Sequence, residues 1–309
     1  MDCAPTTVPQ DLCLQAAELQ LAATHYPAQG AGSPVLLAHG FGQTRRAWAG
    51  TAAALAAQGH PCLAYDARGH GASARNPEGL AYTGQQFTDD LIVLAGEQPR
   101  PPVLVAASMG GLFGLLAEAR WPGLFRAMVL VDITPRWEQA GVERILGFMT
   151  AFPQGFGSLD EAADAIAAYL PQRSARKSEA SLRELLRQAA DGRWHWHWDR
   201  RLVDELARDA ARHQDELEAA ARAVRCPLLL VSGGRSDLVS ERTVNEFLAL
   251  APHARHVRLA EATHMLAGDD NQRFTATVLD YLAELDRSGP TGQPTHVPRA
   301  PAPVTGATP

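Results

Sequence analysis

Ser108 follows the apolar run Val103-Leu-Val-Ala-Ala107 and precedes Met109-Gly-Gly-Leu-Phe-Gly-Leu-Leu116. The first run reads as a strand covered on both faces. Leu112, Leu115, Leu116 and Ala119 then recur at helical spacing until Trp121-Pro122-Gly123 stops the pattern. A hydroxyl at such a strand-to-helix turn sits among unpaired backbone N–H groups, where negative charge is stabilised. Ala106, Gly110 and Gly111 leave room for strand and helix to approach closely. This placement suits a nucleophile. An ordinary turn serine fits the same local pattern.

A serine hydroxyl is a weak nucleophile at neutral pH and needs a base in contact with it. His264 lies in the loop after the strand-like Arg255-His-Val-Arg-Leu259 and before a final helical pattern. Two carboxylates compete to orient it. Asp237 follows the run Leu228-Leu-Leu-Val-Ser232, and Asp132 follows Met128-Val-Leu-Val131. In a parallel sheet the C-terminal strand ends gather along one edge, so residues this far apart in the chain can meet there.

The elements that must position these groups alternate along the chain. An antiparallel pair is expected between Leu12 and Tyr26, then strands at Pro34–Ala38, Pro61–Tyr65, around Val103–Val105 and at Phe125–Val131, with helices at Trp48–Gln58 and Thr83–Glu97 between them. Strands separated by crossover helices predict an α/β fold with a mostly parallel, doubly wound sheet. Between Thr134 and Val224 the rhythm breaks, and the segment reads as helices at Val142–Ala151, Leu159–Leu170, Ser181–Ala190 and Leu202–Ala223. It resumes at Cys226 and closes with a helix at Asn271–Leu285. The expected organisation is a core of residues 8–133 and 225–286, a helical cap at 134–224 inserted between two late strands, and a tail at 287–309. The proline-rich, core-poor composition of that tail predicts disorder.

Composition narrows the function classes. The 309 residues are 46% apolar and 20% charged, with a net charge of −6, which argues against a nucleic-acid partner. The uncharged stretch Pro101–Ala117 is too short and too glycine-rich for a membrane span. Arg45 is the first basic residue, so the N-terminal region matches neither a secretory signal nor a transit peptide. Cys3, Cys13, Cys62 and Cys226 have no CxxC spacing, and a reduced, cytoplasmic setting is the expectation. The alternation His195-Trp196-His197 would point two imidazoles the same way on a strand, as zinc ligands do. No third or fourth ligand accompanies them, and Trp194, Trp196 and Trp198 make packing the preferred reading.

Five segments together resemble the α/β-hydrolase superfamily, in its capped group of serine esterases, C–C bond hydrolases and cofactor-free haloperoxidase-type perhydrolases. They are His39-Gly-Phe-Gly-Gln-Thr44, Asp66-Ala-Arg-Gly-His-Gly-Ala-Ser73, Ala106-Ala-Ser-Met-Gly110, Gly233-Gly-Arg-Ser-Asp237 and Ala262-Thr-His264. Single motifs of this kind are weak, but five in register over a βα rhythm are specific. One departure is Ala106, where the family's nucleophile elbow usually has glycine.

The resemblance implies a Ser108–His264–Asp237 triad, with Asp132 as the alternative acid, and an oxyanion hole made of the Phe41 and Met109 N–H groups. His39 and the Asp66/Arg68/His70 cluster are expected to pin loops. Phe41, Trp137, Phe148, Phe152 and Trp196 are expected to line an apolar or aromatic substrate pocket. The implied activity is cleavage of a carboxylic ester or related acyl bond of a small apolar or aromatic molecule through an acyl-enzyme. No cofactor or metal is needed, and the partner is a small-molecule substrate. Serine at the elbow disfavours dehalogenase and epoxide hydrolase chemistry. Peroxide acceptance, C–C cleavage and a silent ligand-binding homologue are the alternatives.

Overall fold

The computed structural model describes residues 8–170, 176–204, 214–264 and 271–289. Its main sheet has eight strands in the order β1-β2-β4-β3-β5-β6-β9-β10. These are β1 (Gln10–Ala16), β2 (Leu19–Tyr26), β3 (Val35–Ala38), β4 (Cys62–Tyr65), β5 (Val103–Ala107), β6 (Ala127–Val131), β9 (Leu228–Gly233) and β10 (Arg255–Leu259). β1 and β2 pair antiparallel at one edge, β2 joins β4 antiparallel, and β4 through β10 run parallel. The α/β-hydrolase sheet anticipated from the motifs is therefore the architecture of the chain.

Alternation along the central strands divides the core in two. Leu36, Leu104, Met128 and Leu130 point to one face, where they meet Phe87 and Leu91 of α2 (Gly84–Gly96), Leu115 of α3 (Met109–Arg120) and Phe247 of helix Glu241–Leu250. Val35, Leu37, Val105 and Val129 point to the other, against Trp48, Leu55 of α1 (Ala49–Ala57) and Phe274 and Val278 of helix Asn271–Arg287. A side-chain period of two on a sheet covered on both faces requires this division.

Between β6 and β9 lie α4 (Gln139–Thr150), α5 (Leu159–Tyr169), α6 (Glu179–Leu185), β7 (Leu186–Gln188), β8 (Trp194–Trp196) and α7 (Gln214–Ala223); α8 (Glu241–Leu250) and α9 (Asn271–Arg287) follow in the core. The insertion has a small core of its own around Phe156, Ile166 and Leu182. One expectation needs correction. The helix read at Ser181–Ala190 ends at Leu185, and the chain turns into a hairpin in which Leu186 pairs with Trp196. Of the helix read at Leu202–Ala223, residues 205–213 lie outside the described residues, as do residues 290–309 of the tail. Among the described residues, no helix is long and apolar enough to cross a membrane.

Candidate active site

Ser108 stands between β5 and α3 with φ 46° and ψ −118°, a left-handed conformation that costs a non-glycine residue about 1–3 kcal/mol. The surroundings enforce it. The Ser108 N–H donates to Val131 O (3.0 Å), and its carbonyl accepts from the Gly111 and Leu112 N–H groups. A Cβ on Gly110 would lie 2.9 Å from Ala38 Cβ and from two backbone oxygens, so only glycine lets α3 start this close to β3. Ala106 occupies the usual glycine position fully buried, and the turn accommodates it.

Asp132 follows β6 directly, is fully buried and has φ 50°. Its Oδ1 accepts from the Gly233 N–H (2.7 Å); its Oδ2 accepts from Ser236 Oγ (2.5 Å) and from His264 Nδ1 (2.7 Å). A carboxylate only accepts, so the imidazole carries its proton on Nδ1 and leaves Nε2 with a free lone pair. His264 and Ser108 line the same cavity.

The expected contact between Asp237 and His264 is not made. Asp237 lies four residues past the end of β9 and turns outward to α4, accepting from Arg144 Nε (2.8 Å) and Nη2 (2.7 Å). Arg144 also donates to Tyr169 O and stacks over the Tyr169 ring. Distance past the strand end separates the two acids. Asp132 is held at the sheet rim beside the loop that carries His264, whereas Asp237 has passed beyond it.

The loop after β3 brings Phe41 and its backbone N–H to the same rim. Among the described residues neither the Phe41 nor the Met109 N–H has a protein acceptor, and both residues border Ser108 in a cavity. Two histidines hold the loop. His39 Nε2 accepts from the Ala67 N–H (2.9 Å), so its Nδ1–H donates to Gly40 O (2.8 Å). His197 Nδ1 accepts from the Gly71 N–H (2.8 Å), so its Nε2–H donates to Gly42 O (3.2 Å). The Phe41 ring rests edge-on against His70 and tilted on Trp198. Burial pushes the His197 imidazole down to about 4, and lowers His39 and His70 as well. Asp66 accepts from the Arg45 and Ala72 N–H groups and the Arg45 guanidinium, while Arg68 donates twice to Asp90, so this cluster ties loops together.

His195 and His197 go separate ways: His195 faces Asp191, and His197 reaches the loops beside the site. The role of His197 was not legible as such, because its partners lie 126 and 155 positions away.

Two cavities meet at Ser108. One of about 810 Å³ includes Trp137 in its wall; the other, about 390 Å³, includes Phe148, Trp196, Arg144 and Asp237. Phe41 borders both. Phe152 borders neither cavity and instead packs its ring on Phe156, 4.5 Å away.

Residues 35–277 match the alpha/beta hydrolase family. The chain is 29% identical to an esterase of Mycobacterium tuberculosis over 82% of this chain and 84% of the esterase. A solved structure of that esterase superimposes with a TM-score of 0.66, covering 89% of this chain and 92% of the other. A 3-hydroxybutyrate-oligomer hydrolase of Cupriavidus necator is 26% identical over 82% of this chain and 89% of its own length. The structure of an E-2-(acetamidomethylene)succinate hydrolase, 22% identical, matches with a TM-score of 0.76 over 89% of this chain and all of its own. With its parallel sheet and its strained serine at the rim, this chain belongs to the alpha/beta hydrolase family and is a hydrolase of that type.

Proposed function

We propose that the protein cleaves a carboxylic ester or related acyl bond with an apolar acyl group, through an acyl-enzyme on Ser108, with residues 134–224 acting as a cap over the site. The observation that carries this reading is the hydrogen bond from His264 Nδ1–H to the buried Asp132, with His264 lining a cavity that also holds the strained Ser108. Ser108 Oγ attacks the substrate carbonyl carbon while its proton passes to His264 Nε2. Asp132 fixes the tautomer that leaves Nε2 free and stabilises the imidazolium that forms. The oxyanion develops between the Phe41 and Met109 N–H groups, each of which contributes roughly 10²–10³ in turnover by analogy with measured holes. Collapse breaks the acyl–oxygen bond, and His264 returns the proton to the leaving alcohol. Water then attacks the acyl-serine with the same proton relay, releasing the carboxylic acid and free Ser108.

The relative named an esterase favours the oxygen-ester form of this reaction. Fluorophosphonate labelling followed by peptide mapping tests it. Wild-type protein is expected to label at Ser108 and to hydrolyse p-nitrophenyl butyrate, and Ser108→Ala to do neither. A wild-type protein inert in both assays refutes the proposal.

A further inference from the structure

We infer that the larger cavity is a channel for an extended acyl chain, so that the substrate is an ester of a medium- or long-chain fatty acid rather than of a compact aromatic acid. This rests on the acyl-transfer reading above and adds to it the shape of the acyl group.

The channel follows one face of α3. Its wall takes Ser108, Leu112, Leu116, Ala119 and Arg120 from that helix, a series of spacings that stays on a single side from first turn to last. At 1.5 Å per residue this is about 18 Å, the extended length of roughly fourteen carbons. The opposite face of α3 is spent on the protein core: Gly110, Gly111, Gly114 and Glu118 are buried. Leu112, Leu116 and Ala119 are only half-buried. A helix apolar on two sides, with one packed on the sheet and the other lining a cavity that starts at the nucleophile, presents that second side to a ligand.

The remaining walls agree. Val142, Ile145 and Leu146 of α4 and Leu217 and Ala220 of α7 also line the channel. The polar side chains in the wall are Ser108, Thr83, Gln85, Thr88, Arg120 and Glu216, and apart from Gly84 the rest of the wall is apolar. An acyl carbon bonded to Ser108 would therefore lead into a mostly apolar channel. The smaller cavity, with Arg144, Lys177 and Asp237 in its wall, suits the polar alcohol that leaves.

The test is a p-nitrophenyl ester series from acetate to palmitate on the full chain. Burial of successive methylenes is expected to raise kcat/KM about two- to fourfold per carbon, up to roughly twelve carbons. Ala119→Trp blocks the distal channel and is expected to lower the laurate-to-butyrate ratio of kcat/KM at least tenfold. Leu116→Trp, one turn nearer Ser108, should move the cut-off to shorter chains. A wild-type profile that is flat or falling beyond butyrate overturns the inference, as does an unchanged ratio in both variants. Loss of all ester hydrolysis and of fluorophosphonate labelling in the wild type would instead sink the acyl-transfer reading beneath it.

Discussion

Asp132 and Asp237 differ in what surrounds each carboxylate. Asp132 has no solvent contact, and three donors converge on its two oxygens, one of them His264 Nδ1–H. Asp237 keeps 30% of its side chain exposed and answers Arg144. Asp132→Asn would aim an amide N–H at the histidine and favour the wrong tautomer, so turnover of p-nitrophenyl butyrate is expected to fall by about 10³–10⁴. Asp237→Asn breaks a half-exposed ion pair and should stay within about fivefold of wild type. Comparable losses in the two variants would contradict this assignment. The sequence names both acids because both follow strands. It does not separate them, because the donors that bury Asp132 come from Gly233 and Ser236, 101 and 104 positions away. Ser108 and His264 are easier to read: their signals, a small-residue turn and a loop after the last strand, are local.

Among the elements, β5 and α3 are legible because their constraints lie within the elements themselves: an unbroken apolar run, then glycines where helix and sheet must touch. The β7–β8 hairpin is not, since Leu186-Arg-Gln188 and Trp194-His-Trp196 are too short to show alternation, and Phe156, which completes the pairing by bridging to Trp194, is remote in sequence. Two glycines test the elbow packing directly. Gly110→Ala pushes a methyl group against β3 backbone that cannot yield, at a cost of about 1–3 kcal/mol. Thermal unfolding is then expected several degrees lower, with ester hydrolysis reduced because Ser108 moves with the start of α3. Gly147, inside α4, has open space where its Cβ would go. Gly147→Ala should leave activity intact and raise stability by about 0.4–1 kcal/mol. Equal thermal shifts would mean that the elbow tolerates a side chain at 110.

At the scale of the whole molecule, the break in the βα rhythm locates the insertion, but not what fastens it to the core. His197 bridges to Gly42 and Gly71, Asp199 N–H donates to Gly69 O, Tyr82 OH donates to Asp199, and Arg187 donates to Gly71 O. The His197–Gly42 contact holds the loop that carries the Phe41 N–H and the others hold the segment after β4, so acid should loosen the insertion and these loops together. The sign follows from burial. His197 titrates near 4 in the folded protein, and an unfolded histidine near 6.5. Between those pH values the unfolded chain binds a proton that the native state does not, so stability rises with pH across the window and falls on acidification. His39 and His70 beside it act in the same direction. Asp66 and Arg187 also face His197, with opposite effects on its charge. Asp90, held at about 6 by burial, works the other way, because its native carboxyl keeps a proton that the unfolded chain has released. Urea denaturation of wild type at pH 5 to 6.5 is therefore expected to show stability increasing with pH. His197→Gln keeps a donor for Gly42 O but cannot titrate, and should reduce that slope by about 1 kcal/mol per pH unit around pH 5.5. A slope identical to wild type would mean that His197 takes up its proton without unfolding, and the latch would then not be the acid-sensitive joint of the molecule.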